Sequence, residues 1–181
     1  YRINGAMSQP GDIKVLDLNG DGVVDLADRT IIGNPNPDYI YGFNLNMSYK
    51  NFSVRALFNG TEGNDIVNGN MYRFGFAEGT YRNILSEAWS DRWSSENPNG
   101  TYPRLGYSSN LFAAAMDRFV EDGSYLRLKN ITMNYDIPMR SDNFIKSANI
   151  YVTGSNLFTW TNYSGYDPEI TTFMYDGLIQ G

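Results

Sequence analysis

The side chains best placed to do chemistry in this 181-residue chain lie at residues 17–28. Asp17, Asn19 and Asp21 put oxygen donors at alternate positions, and Gly22 follows where a cation-binding loop must turn sharply. Val23 offers its backbone carbonyl, Asp25 comes two residues later, and Asp28 closes the loop. Carboxylates crowded this closely repel one another unless a hard dication sits among them, so the pattern predicts a structural Ca2+. Asp28 stands where an EF-hand loop usually carries Glu. The loop thus resembles the dockerin variant, and the shorter side chain makes bidentate ligation less favourable. The plain alternative is an acidic Asx-turn loop that binds nothing. No paired EF-hand helices flank the segment. A weak structural ion, bound at roughly 0.1–1 mM as in extracellular modules, fits better than a sensor.

Other chemistries are excluded by composition. The chain has no Cys and no His, which removes disulfides, thiolate zinc sites, a Ser-His-Asp triad and His-ligated metals. A net charge of −6 without a basic run argues against nucleic acid. Glu121 and Asp122 could be offered as a glycosidase pair, but neighbours on a strand point to opposite faces, and a turn before Gly123 explains them better. The chain is therefore not expected to be an enzyme.

The elements that must carry these residues are strands. From residue 39 to 49 the odd positions read Tyr39, Tyr41, Phe43, Leu45, Met47, Tyr49, and the even positions from 42 read Gly42, Asn44, Asn46, Ser48. Period two puts the apolar groups on one face. Eleven residues match the roughly 9–11 that a tilted strand needs to cross a bilayer, and aromatics at both ends resemble interfacial girdles. Lys50 and Asn51 allow a tight reversal, after which Phe52, Val54, Ala56 and Phe58 alternate with Ser53, Arg55, Leu57 and Asn59. A second hairpin is expected from Asn130, Thr132 and Asn134 alternating with Ile131, Met133 and Tyr135, ended by Pro138. A strand follows over residues 148–158, with Ile150 and Val152 outward and Tyr151 competing for the same face. Short turns at 50–51 and 138–147 oppose long segments at 60–124 and beyond 160, the asymmetry of an outer-membrane barrel with its long loops outside the cell. Within the long segment, residues 82–93 read as a helix, with Leu85, Trp89 and Trp93 at helical spacing and expected to pack on the loop's own small core. Aromatic residues at 15% with a mean hydropathy of −0.43 suit either a barrel or a glycan-binding sandwich.

The residues also resemble a known family. The series Pro10-Gly11-Asp12-Ile13-Lys14, Asp17 to Gly22, Asp28-Arg29-Thr30, Ile32-Gly33-Asn34-Pro35-Asn36-Pro37, Tyr41-Gly42 and Tyr49-Lys50-Asn51-Phe52 is similar to the C-terminal region of SusC/RagA importers. So are Gly63-Asn64-Asp65-Ile66, Pro103-Arg104, the block from Phe119 to Ile131, Gly154-Ser155-Asn156-Leu157-Phe158-Thr159-Trp160 and Tyr166-Asp167-Pro168-Glu169. The resemblance is collinear over nearly the whole chain. It implies an all-β fold: four strands of a larger, 22-stranded antiparallel transmembrane barrel, with long extracellular loops and a short loop helix. On that reading residues 1–38 form an extracellular segment with the calcium loop, 39–60 and 125–158 form barrel hairpins, and 61–124 and 159–181 form extracellular loops. Both chain ends read as cuts through a longer protein, and because four strands cannot close a barrel, the piece is not expected to span a membrane stably by itself.

The resemblance further implies a TonB-dependent importer in the outer membrane of a Gram-negative bacterium, taking up glycans or other nutrients such as peptides. Its partners would be the rest of the barrel and plug, a SusD-like surface lipoprotein, the TonB complex and outer-membrane lipid. The alternative is a soluble, calcium-stabilised carbohydrate-binding β-sandwich that uses Trp93, Tyr102 or Trp160 as stacking platforms.

Overall fold

The computed structural model describes residues 2–3, 6–75, 83–107, 116–139 and 144–169. They fall into two compact units. One comprises residues 34–66 and 121–169, and the other the described residues of 1–33 and 67–120.

The first unit is built on a four-stranded antiparallel sheet. Its strands are β1 (Tyr39–Tyr49), β2 (Phe52–Glu62), β3 (Tyr125–Ile137) and β4 (Ala148–Thr161), neighbours in that order. The reversal at Lys50 and Asn51 takes two residues, with Tyr49 opposite Phe52 and Lys50 in the left-handed region at φ 50°. Asn51 then ties the turn to β3: its Nδ2 donates to the Asp136 carbonyl and its own carbonyl accepts from the Asp136 N–H, both at 2.8 Å. The strands run a little past their expected ends, β2 to Glu62 and β4 to Thr161. The reason is the ladder itself, because Tyr125 pairs with Thr61 on one side and Thr161 on the other.

Register decides which side chains share a face. Partners directly opposite one another point the same way, so the rows Leu45–Ala56–Ile131–Gly154 and Met47–Val54–Met133–Val152 are each apolar across all four strands. Towards the 60–62 end of β2 the same face carries Phe43, Phe58, Leu128 and Phe158, and the Phe43 and Phe58 rings stack at 4.5 Å. In β3 the apolar positions change parity, from 126 and 128 to 131, 133 and 135. A bulge at Lys129 makes that change: Phe58 pairs with Leu128 but Leu57 pairs with Asn130. The extra residue resets the alternation, so that Leu126, Leu128, Ile131, Met133 and Tyr135 of β3 all stay on one face. In β4 a matching irregularity has Asn156 at φ 52°, and the Leu157 side chain covers Gly154, whose added Cβ would lie 2.8 Å from it. Gly60 is required in the same way, because the Tyr41 ring fills the space a Cβ would take and the Tyr41 hydroxyl donates to the Tyr125 carbonyl at 3.1 Å.

The second unit has little regular structure. Arg2–Ile3 pairs antiparallel with Ala6–Met7 and parallel with Val23–Val24. A helix at Gly69–Phe74 is capped by Asn68, whose Oδ1 accepts from the N–H groups of Asn70 and Met71. Its Met71 and Tyr72 pack with Ile13, Val15 and Val67 on Met116 and the fully buried Phe119.

The expected helix over residues 82–93 is much shorter. It spans Ser86–Ser90; Leu85 is its N-cap, Trp93 lies beyond it, and residue 82 is outside the described residues. Trp89 is 53% exposed, with the Arg92 guanidinium 4.0 Å over its ring. Trp93 packs on Gly11 instead, and its N–H donates to the Tyr102 carbonyl at 2.7 Å. The helical spacing was real, but backbone pairing between the segments around Arg92 and Tyr102 stops the helix before its second turn is complete. Among the described residues no helix is long and apolar enough to cross a membrane, which says nothing of strands.

Candidate functional site

The sheet presents two chemically opposite surfaces. Its apolar face has Tyr39, Tyr41, Phe158 and Trp160 at one end, Tyr49, Phe52 and Tyr135 at the other, and aliphatic side chains with Phe43 and Phe58 between. Tyr39 is 70% exposed, Leu45 45% and Val152 69%, so this face is open across the strands. Ile150 and Val152 share it, opposite Tyr135 and Met133, whereas Tyr151 lies opposite Asn134 on the other face. The competition between Tyr151 and its neighbours is thereby resolved in favour of Ile150 and Val152. The opposite face carries Asn44, Asn46, Arg55, Asn130, Thr132, Thr153 and Ser155. Thr132 and Thr153 hydroxyls meet across the strands at 3.1 Å, and Asn130 Nδ2 donates to Ser155 Oγ at 3.3 Å.

An ion-pair network sits on the polar face near the 125 end of β3. Arg127 is only 5% exposed. Its guanidinium bonds Asp167, reaches Glu169 Oε2 at 2.6 Å and donates through Nε to Thr159 Oγ1 at 2.9 Å. Lys129, the bulged residue, brings Nζ to 2.7 Å of the same Glu169 oxygen. Positions 127 and 129 share a face by ordinary alternation, so the two cations stand side by side, and the bulge resets the parity only from Asn130 onward. Burial pushes the Asp167 carboxyl up, but the hydrogen bond and charge of Arg127 and the Glu169 N–H outweigh it and hold Asp167 below its ordinary range. No residue-level pairing was expected here. The available signal was two basic residues inside a strand and two acids around Pro168, but nothing in the spacing joins positions 40 residues apart.

The acidic loop lies in the other unit. Asp17 accepts from the Gly20 and Gly22 N–H groups at 2.7 and 2.8 Å, Asn19 from Asp21 at 2.9 Å, and Asp21 from Val23 at 2.8 Å. Asp25 caps the 3-10 turn Leu26–Asp28 by accepting from Ala27. Asp28 closes the loop backwards: Oδ1 accepts from Leu18 and Asn19, and Oδ2 accepts from Asp25. The Asp25 bond leads among those that pull the Asp28 carboxyl below its ordinary range despite the opposing effect of desolvation. Val24, 1% exposed, anchors the loop beneath these exposed oxygens.

Gly20 and Gly22 take φ of 76° and 84°, so both sharp turns fall on residues that adopt them without strain. The donor set suits a hard dication in kind and spacing. Among the described residues, however, no three acidic side chains converge closely enough to form a metal cage. Without an ion, the carboxylates are occupied in turning the backbone. Asp28→Ala should accordingly speed amide exchange at Leu18, Asn19 and Asp25 and leave residues 41–49 unchanged. Equal protection at all three amides in the variant would show that Asp28 does not close the loop.

Each aromatic residue offered as a stacking platform is engaged within its own unit. Trp93 is packed on Gly11, Tyr102 is buried with Arg118 over its ring, and Trp160 belongs to the apolar face beside Phe158.

Comparison with known proteins places this geometry. The chain is 36% identical over 170 residues to TonB-dependent receptor P26 of Formosa agariphila, a match covering 93% of this chain and 17% of that protein. It is 29% identical over 184 residues to TonB-dependent receptor SusC of Bacteroides thetaiotaomicron, covering 94% of this chain and 16% of that one. Among solved structures, the RagAB peptide transporter superposes with a TM-score of 0.66 at 30% identity over 76% of this chain and 15% of its own. No protein-family model matches the chain. The chain therefore spans about one sixth of the length of the curated relatives it matches.

Proposed function

The chain is a length of a SusC/RagA-like TonB-dependent receptor, and from that premise we propose that its four strands are a section of the wall of an outer-membrane importer. The apolar face meets lipid and the polar face lines the interior. The observation that carries this reading is the register, which holds one face apolar over strands of 11, 11, 13 and 14 residues with aromatics at both ends. Such strands suffice to cross the hydrocarbon band at the tilt of a barrel wall. Both outer strands, β1 and β4, leave long unpaired edges among the described residues. In water such edges invite aggregation; in a barrel they pair with further strands.

On this proposal the whole protein belongs to the outer membrane of a Gram-negative bacterium, draws energy from the TonB complex and acts as a transporter rather than an enzyme. Its cargo would be glycans or other nutrients, captured with a SusD-like lipoprotein. The SusC and RagAB likenesses support this reading. The acidic loop would hold a structural Ca2+ through Asp17, Asn19, Asp21, the Val23 carbonyl, Asp25 and Asp28. Removing calcium from the full-length protein should then raise proteolysis within residues 17–28 without releasing the barrel from the membrane. Cleavage indifferent to calcium would leave the loop as a set of Asx turns.

Orientation is tested with single cysteines in the full-length protein. A lipid-phase thiol reagent should label Phe43→Cys and spare Asn44→Cys. Labelling at 44 with protection at 43 would invert the assignment of faces, and a receptor recovered as a soluble polysaccharide binder would replace it with the sandwich alternative.

A further inference from the structure

We propose that Arg55 is the cationic centre of a carboxylate-binding recess on the polar face of the sheet. The inference rests on the reading of that face as the barrel interior. Arg55 lies in the row Asn46–Arg55–Thr132–Thr153, three residues along β2 from the two-residue turn and past the lower aromatic band. It is exposed and forms no ion pair or hydrogen bond among the described residues. The other basic side chains of the polar face, Arg127 and Lys129, are committed to Asp167 and Glu169.

A guanidinium held at membrane depth without a counter-charge is costly unless water or an anion attends it. Arg55 does not stand on a flat surface. With Ser53, Thr132, Asn134 and Tyr151 it lines a recess of about 280 Å³. Two of the wall's side chains already have partners: Thr132 bonds Asn130 and Thr153, and Asn134 donates to Asp136 at 3.1 Å. The Ser53 and Tyr151 hydroxyls remain as donors beside the guanidinium, and Asp136 lies further towards the turn.

One planar fork of N–H donors with two neutral hydroxyls matches a carboxylate, which can accept two parallel bonds from arginine and further bonds from the hydroxyls. A dianionic phosphate would call for a second cation, and among the described residues none lines the recess beside Arg55. The carboxylate could come from a solute passing through the receptor or from another segment of the same receptor. The chemistry is shared, and the two sources are separable by experiment.

The purified full-length receptor is treated with phenylglyoxal, an arginine reagent, and modification of Arg55 is followed by peptide mapping beside a free arginine amide in the same solution. If a solute supplies the carboxylate, Arg55 reacts freely, and millimolar succinate slows it about fivefold whereas sodium chloride of equal ionic strength does not. If another segment supplies it, Arg55 reacts about fivefold more slowly than the free amide without succinate. Urea that displaces interior segments, while the barrel keeps its folded mobility on gels, then restores the rate. Free reaction that succinate leaves unchanged overturns the proposal, and so does slow reaction that urea does not relieve. The cysteine pair at 43 and 44, read on the same preparation, separates the two hypotheses. Inverted lipid labelling removes the barrel reading, while the expected labelling with an unprotected Arg55 removes only the recess.

Discussion

Leu45→Arg is expected to destabilise the membrane-inserted receptor by about 2–4 kcal/mol, the cost of a basic side chain at the lipid-facing midplane of a barrel. Leu45 is central in its strand and lies in the row Ala56–Ile131–Gly154, so the new charge would have only apolar neighbours and lipid. Asn46→Arg moves the same charge by one residue to the opposite face, where Arg55 and Thr132 already stand. It should cost far less, because that side chain enters a polar interior. The contrast is measured as folding of the full-length protein into lipid vesicles along a urea series, scored by the mobility difference between folded and unfolded forms on gels. Equal losses from both variants would show that the sheet has no lipid face.

Arg127→Met should cost about 1–3 kcal/mol, below the roughly 3–5 kcal/mol typical of breaking a fully buried pair. The reduction follows from geometry. Arg127 is buried, but its partners Asp167 and Glu169 are partly exposed and regain water when it is removed. Lys129 also stays beside Glu169. The loss should be local, appearing as faster amide exchange over residues 163–169 with little change near Lys50. The pH dependence has a definite sign. Asp167 titrates below its ordinary value of 3.8 in the folded protein. Its contribution is therefore complete above that value and is lost as pH falls through the lowered one. Arg127→Met should abolish this acid-dependent loosening of the 163–169 segment. If wild type and variant loosen identically on acidification, the pair does not fasten the segment.

The two-faced strands were legible because alternation is a covalent fact. Tyr39 to Tyr49 and Phe52 to Phe58 can place their apolar groups on one side only if the chain is extended, and the Lys50-Asn51 reversal fixes their pairing without help from distant residues. The upper part of β3 was harder. Leu126 and Leu128 belong to the opposite parity from Ile131 and Met133, and from sequence alone that shift is also compatible with a strand ending. The helix around Trp89 shows the reverse error, where a sound local period was overruled by pairing with a segment ten residues away.

For the acidic loop, the sequence determined which atoms can bind a hard cation and that Gly20 and Gly22 permit the turns. Only the folded structure decided that Asp28 spends both carboxylate oxygens on the Leu18, Asn19 and Asp25 amides. For the sheet, the sequence determined the amphipathic period of each strand, because successive side chains must point to opposite sides. The tertiary structure decided the bulge at Lys129, the closure of Arg127 on Asp167 and Glu169, and the isolation of Arg55 within its recess. Those outcomes depend on register and on contacts between residues about 20 to 80 positions apart, and local preference carries no information about such separations.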